Sequence, residues 1–288
     1  TDGAPGELVH LELAQALSAS GDLDGAAREW QLAEAAPYLV RQAKQEPAEA
    51  EALLRLATRV DPEEATAYQA LADVYLADAR VEEARTVLEE RRGLGPAVDP
   101  GRAVSELELG LMAYHLDGNL DQALRYLGAA VRDDPADESL KRAIADVLDA
   151  AGQGPAAEHW RREADVALQS VQQPRDTLGH AYEALGLWHE ASAEYTRVAN
   201  GPASDPVGDY DLGELSLGEG QPSKALVQLR AAARLIPNQE TFRLALAQVY
   251  LELGQAQRAR DQYQLIVSND PGNLEARRAL TCPEGCRA

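Results

Sequence analysis

Few residues of this 288-residue chain have the type and spacing to do covalent or metal chemistry. The two cysteines, Cys282 and Cys286, flank Pro283-Glu284-Gly285. Such a stretch can turn and bring two thiols together, which gives a small disulfide loop in an oxidising compartment; the alternative is two reduced thiols on an exposed tail. Two cysteines with no histidine nearby fall short of the four ligands of a structural zinc site. Arg287 stands where a haem-attachment motif needs His. The five histidines, His10, His115, His159, His180 and His189, form no His–His pair at helical spacing, and His189-Glu190 lacks the second His of an HExxH motif. Packed or solvated histidines are the simpler reading. Asp209-Tyr210-Asp211 has the look of a calcium loop but lacks the downstream Glu, and acidic residues there suit a helix N-terminus. No Ser, Cys or Lys nucleophile has an evident base, and no GxGxxG, P-loop or GxSxG occurs. The expectation is no catalytic residue, no cofactor, no metal site and no enzyme.

Charge narrows the partners. Asp and Glu number 48 against 27 Lys and Arg, a net charge of −21. Neither nucleic acid nor an anionic membrane surface is expected as a partner, because both need basic surface. The charge reads either as a well-solvated surface or as a face for a basic partner. Lysine occurs only at Lys44, Lys141 and Lys224, a bias toward Arg that suits GC-rich coding and a bacterial source. No apolar run approaches the roughly 18 residues of a membrane span, so no membrane insertion is expected. Thr1-Asp2-Gly3-Ala4-Pro5-Gly6 suits a mature N-terminus; with the cysteine pair it favours an extracytoplasmic location, periplasmic or secreted, over the cytoplasm.

The elements that must position any site are legible from a repeat. Leu178, Ala181, Tyr182 and Leu185 share one helical face, Gly186 ends the helix, and Trp188, Ala191, Tyr195 and Val198 start a second stripe. Ala123, Ala157, Ala191, Ala225 and Ala259 recur at 34 residues, in step with Gly118, Gly152, Gly186, Gly220 and Gly254. Leu127, Tyr195, Leu229 and Tyr263 follow the marker Ala, Tyr114, Tyr182 and Tyr250 precede the turn Gly, and Pro135, Pro237 and Pro271 close units. Small residues sit where two helices cross closely, and large ones fill the space between layers. One unit alone leaves an apolar face uncovered, so units must stack.

This pattern resembles the tetratricopeptide repeat family, a 34-residue pair of helices. The resemblance covers nearly the whole chain and implies an all-α, right-handed α-solenoid of about seven to eight helix pairs. Residues 1–6 read as a lead, 7–280 as one array and 281–288 as a tail, with a short capping helix over 273–280. A distorted repeat is expected over 38–62, with Tyr38-Leu39-Val40 packing inward, and an inserted loop over 93–101. In the unit at 65–96, Ala79 takes the place of the turn Gly.

Function follows from the resemblance rather than from the residues. In this family the first helices line a concave face, and similar bacterial proteins hold subunits of larger assemblies. The corresponding positions here are Gln69, Asp73, Glu108, Met112, His115, Arg142, Asp146, Asp149, Asp176, His180, Glu183, Tyr210, Glu214, Leu244 and Gln248. Where carboxylate-clamping relatives carry Lys and Asn, this chain has Glu108, Met112, Asp176, His180, Tyr210 and Glu214, which argues against a clamp for a C-terminal carboxylate. The expectation is a non-catalytic interaction scaffold whose acidic or mixed groove takes a basic or mixed peptide or protein. The alternative is self-assembly through the open ends, with the Leu-rich first helix offering Leu8 and Leu11 to another copy.

Overall fold

The computed structural model describes residue 25 and residues 36–94, 99–171, 175–201, 206–271 and 273–281. These residues form fifteen α-helices and no strand. The helices are α1 (Ala36–Gln45), α2 (Ala50–Val60), α3 (Ala65–Ala77), α4 (Val81–Arg92), α5 (Pro100–His115), α6 (Leu120–Asp133), α7 (Glu138–Ala150), α8 (Gly154–Val171), α9 (Thr177–Ala184), α10 (Trp188–Ala199), α11 (Pro206–Gly218), α12 (Pro222–Leu235), α13 (Glu240–Glu252), α14 (Ala256–Asn269) and α15 (Leu274–Thr281). They fall into two compact units, with the boundary between Ala167 and Leu168. Within each unit consecutive helices pack as pairs, and in the first unit α1, α3, α5 and α7 also pack on one another in sequence. Among the described residues no helix is long and apolar enough to cross a membrane.

The repeat residues do what their chemistry dictates. Gly118, Gly152, Gly186, Gly220 and Gly254 all have φ between 66° and 76°, and Ala79 has φ 59°. The left-handed residue lets the chain close the helix with a long-range backbone bond. Arg80 N–H donates to the Tyr75 carbonyl at 2.7 Å, Leu187 to Tyr182 at 2.9 Å and Gln255 to Tyr250 at 2.7 Å. The marker alanines Ala84, Ala123, Ala157, Ala191 and Ala225 are fully buried, so neighbouring helices approach to backbone distance. Polar caps set several starts: Asp99 accepts from Gly101 N–H, Asn119 from Gln122 and Asp137 from Ser139.

Several expectations shift. Residues 38–62 form a short helix pair, α1 and α2, joined by a 3-10 turn at Pro47–Glu49. Leu39 and Val40 are buried there, but Tyr38 is 38% exposed, one step round the helix from the core face. The predicted loop 93–101 gives up its last two residues to α5. Asp99-Pro100 is a helix start, with Pro at the first position where its missing N–H costs nothing. Asp99 is tied to α4 by a buried ion pair, Arg91 Nη2 to Asp99 Oδ2 at 2.6 Å. Trp188, placed on the apolar stripe of α10, opens that helix and is 51% exposed. The expected capping helix is α15, started by Asn273 Oδ1 accepting from Ala276 N–H at 2.8 Å. Leu8, Leu11, Cys282 and Cys286 lie outside the described residues.

Candidate functional site

A polar cluster of the second unit is built around one close helix crossing. A Cβ placed on Gly179 of α9 would stand 2.4 Å from Cε1 and 2.7 Å from Cδ1 of Tyr195 on α10. The absence of a side chain at Gly179 lets the buried Tyr195 ring lie directly on the α9 backbone. That fixes where its hydroxyl emerges. The hydroxyl donates to Glu183 Oε2 at 2.6 Å and lies 2.8 Å from His180 Nδ1. His180 and Glu183 are three residues apart on α9, so both present to the same phenol.

The other edge of the His180 ring meets carboxylates. His180 Nε2 is 3.3 Å from Asp176 Oδ2, one turn earlier, and 4.0 Å from Asp211 Oδ2 on α11. Asp211 is only 5% exposed. Its Oδ2 and the Oε1 of Glu214, three residues on, are buried without a hydrogen-bond partner. Gly208 allows this approach of α11 to α10, since a Cβ there would stand 2.4 Å from the Ala199 nitrogen. Neither α9 nor α11 contains a Lys or Arg.

Burial and crowding set the proton affinities. Burial pushes the Asp211 carboxyl up to about 7; His180 pulls it down, and the Asp176 and Glu183 charges push it up. Burial also raises Glu214, with help from Glu183. Burial opposes charge on His180, yet Asp176, Asp211 and Glu183 together raise it above the ordinary histidine value. Burial likewise acts against a charged Asp176, whose carboxyl is nevertheless held low by His180. Tyr210 is pushed up to about 12 by burial, then by Glu214 and Asp211.

The remaining expected groove positions divide sharply. On α3, Gln69 and Asp73 are half-buried. Glu108 and Met112 on α5 are 1% and 0% exposed, so they present no surface to a partner. The correction has a physical cause: α5 is packed by α3, α4, α6 and α7, and its residues are buried all round. Burial, then the nearby Asp73 charge, raises the Glu108 carboxyl. His115 is exposed, with its ring edge-on to Tyr114. On α7, Arg142 pairs with Asp165 at 3.0 Å, Asp149 pairs with Arg161 at 2.8 Å, and Asp146 is half-buried. Tyr210 stacks tilted on Phe242 with centroids 5.1 Å apart. Leu244 is half-buried and Gln248 exposed on α13. Of the expected residues, then, Asp176, His180 and Glu183 come together, with Tyr210 and Glu214 on the neighbouring α11. Two members of the cluster were missed, Tyr195 and Asp211. The three-residue spacing of Asp211 and Glu214 was the available signal.

Residues 216–281 match the family model for the tetratricopeptide repeat, a span from the end of α11 to α15. A human protein described as protein O-mannosyl-transferase TMTC1 is 36% identical over 104 residues, 36% of this chain. The chain spans only 12% of the length of that relative. Among solved structures, MamA is 19% identical with a TM-score of 0.39, over 56% of this chain and 96% of that one. PilW, described as a widely conserved type IV pilus biogenesis factor, is 16% identical with a TM-score of 0.38, over 96% of this chain and all of that one. YrrB, described as having an unusual peptide-binding site, is 15% identical with a TM-score of 0.32, over 96% and 91%.

Proposed function

We propose that this chain of tetratricopeptide repeats is a non-catalytic scaffold, and that the acidic face formed by α9 and α11 takes a basic segment of a peptide or partner protein. One observation carries the reading. Asp176, Glu183 and Asp211 converge on His180, with Glu214 near Glu183 and no Lys or Arg on α9 or α11, and the His180 and Asp176 side chains are 45% and 30% open. Carboxylates crowded together without a Lys or Arg beside them repel one another and are held at a cost in free energy. A guanidinium or ammonium group supplied by a partner at the open Asp176 edge would offset it, and Arg does so with the geometry best matched to carboxylates. The O-mannosyl-transferase likeness covers too small a share of that protein to bring its activity here. Asp146 on α7 is the corresponding acidic candidate of the first unit.

Fluorescence anisotropy with an Arg-rich and a Glu-rich peptide of equal length tests this. The Arg-rich peptide should bind more tightly, and Asp176→Lys should weaken it about tenfold or more, roughly 1.4 kcal/mol. Asp146→Lys should weaken it less. Unchanged affinity of Asp176→Lys at low salt would refute the proposal. Light scattering over a concentration series checks the other partner: growth of oligomers would make the chain its own partner, through an end such as Leu8 and Leu11.

A further inference from the structure

We propose that Asp176, His180 and Asp211 form a binding site for a divalent first-row transition ion, with zinc as the reference ion. Their candidate ligand atoms all lie within 4.8 Å of one another. Around a tetrahedral zinc, atoms held at about 2.0–2.2 Å from the ion are roughly 3.3–3.6 Å apart. The Asp176–His180 separation of 3.3 Å already meets that, and the Asp211–His180 separation of 4.0 Å needs only a small carboxylate rotation.

The independent support is the state of Asp211. It is 5% exposed, and its Oδ2, the atom nearest His180, is buried with no hydrogen-bond partner. A desolvated carboxylate oxygen beside an imidazole nitrogen and a second carboxylate leaves two acids facing one histidine, a ligand set that a metal cation would complete.

The other side of the ring is arranged as a metal-binding histidine requires. The Tyr195 hydroxyl spends its proton on Glu183, so its oxygen is left to accept from His180 Nδ1–H. Nε2 then faces Asp176 and Asp211, and would release its proton on binding the ion, as a ligating imidazole must. In metal sites the ligating imidazole is oriented in this way by an acceptor on its far nitrogen, itself hydrogen-bonded onward. One nitrogen and two carboxylates suit a borderline ion such as zinc; calcium and magnesium prefer all-oxygen sets, and soft ions prefer sulfur. His180 and Asp176 have 45% and 30% of their side-chain surface open, which gives the ion a way in and leaves a coordination position for water.

The site goes beyond the basic-segment reading, and its test needs no peptide. The full chain, with Cys282 and Cys286 alkylated so that they cannot bind metal, is titrated with zinc chloride by calorimetry. A parallel titration with cobalt(II) follows visible absorption. One equivalent should bind, with an intense cobalt spectrum of low coordination number. Tyr195→Phe should weaken binding roughly tenfold, and His180→Ala and Asp211→Asn should each weaken it more than that. Circular dichroism melting of each variant shows that it is folded, and Asp176→Asn, on a partly exposed residue, serves as a further ligand variant. Absence of uptake by the native chain overturns the assignment. So does uptake unchanged in both His180→Ala and Asp211→Asn.

Discussion

Two glycines that look alike in sequence should respond oppositely to the same substitution. Gly128 sits within α6, and a Cβ there would meet nothing nearer than Arg132 Nη1 at 3.7 Å. Gly128→Ala should therefore stabilise by about 0.5–1 kcal/mol, the ordinary gain of Ala over Gly inside a helix. Gly179→Ala brings the same gain but drives a methyl to 2.4, 2.7 and 3.1 Å from three Tyr195 ring atoms. The ring cannot swing away cheaply, because it is fully buried and its hydroxyl is bonded to Glu183 and His180. Overpacking of this kind costs about 1–3 kcal/mol. After subtracting the helix gain, Gly179→Ala should destabilise by roughly 1–2 kcal/mol. Urea denaturation followed by far-UV circular dichroism measures both, compared as midpoints because a stacked array need not unfold in two states. A midpoint for Gly179→Ala at or above that of the native chain would refute the packing argument.

Three further outcomes follow from the first unit. Ala79 holds φ 59°, a conformation that disfavours a Cβ, so Ala79→Gly should raise stability by about 1 kcal/mol, read as a higher urea midpoint. Arg91 is 3% exposed and paired to Asp99, so Arg91→Met leaves a nearly buried charge alone and should cost about 3 kcal/mol, with Asp99→Asn in the double variant recovering part of it. Glu51 is held down to about 2, first by its bond to Arg80, then by Arg55 and Tyr75, against an opposing effect of burial. Its folded value lies below its unfolded one, so this stabilisation is present above about pH 4.5 and is lost as pH falls toward 2. Glu51→Gln should flatten the fall in melting temperature across that window; an unchanged acid limb would refute the assignment.

The parts of the fold legible in the sequence are those enforced by backbone geometry and repeated. A left-handed turn demands Gly in five places and shows itself at a 34-residue spacing; a close crossing demands Ala, and recurs in step. What was not legible depends on contacts made only after packing. Tyr195 reads as a filler of the core, and its ring is one, but its hydroxyl has partners 12 and 15 residues earlier on a different helix. Asp211 follows Tyr210 near the start of α11 and reads as a solvated helix-start acid. It is buried because Gly208 lets α11 come close to α10. His180 has no second histidine at helical spacing, and its companions are carboxylates, one of them on another helix. Glu108 and Met112 fall on the expected groove-lining face of a first helix, but α5 has neighbours on all sides, and helical periodicity cannot distinguish a face covered by another helix from one open to water.

A buried carboxylate without a partner is maintained at a cost in stability, and the cost is measurable in the unliganded protein. Asn has nearly the shape of Asp and carries no charge. At pH 8, above the value of about 7 to which burial pushes Asp211, the native side chain is ionised and desolvated. Removing that charge should therefore stabilise the free protein, by about 1 kcal/mol or more, since an unsatisfied buried polar group costs roughly 1–3 kcal/mol and a charged one more. The same Asp211→Asn change should abolish most of the stabilisation that zinc confers on the native chain, because a ligand stabilises only in proportion to its affinity for the folded state. A higher melting temperature without metal together with a smaller rise on adding it is the signature of a residue kept for binding. A lower melting temperature for metal-free Asp211→Asn would mean that the carboxylate already stabilises the fold, and would remove the energetic reason for placing any cation there.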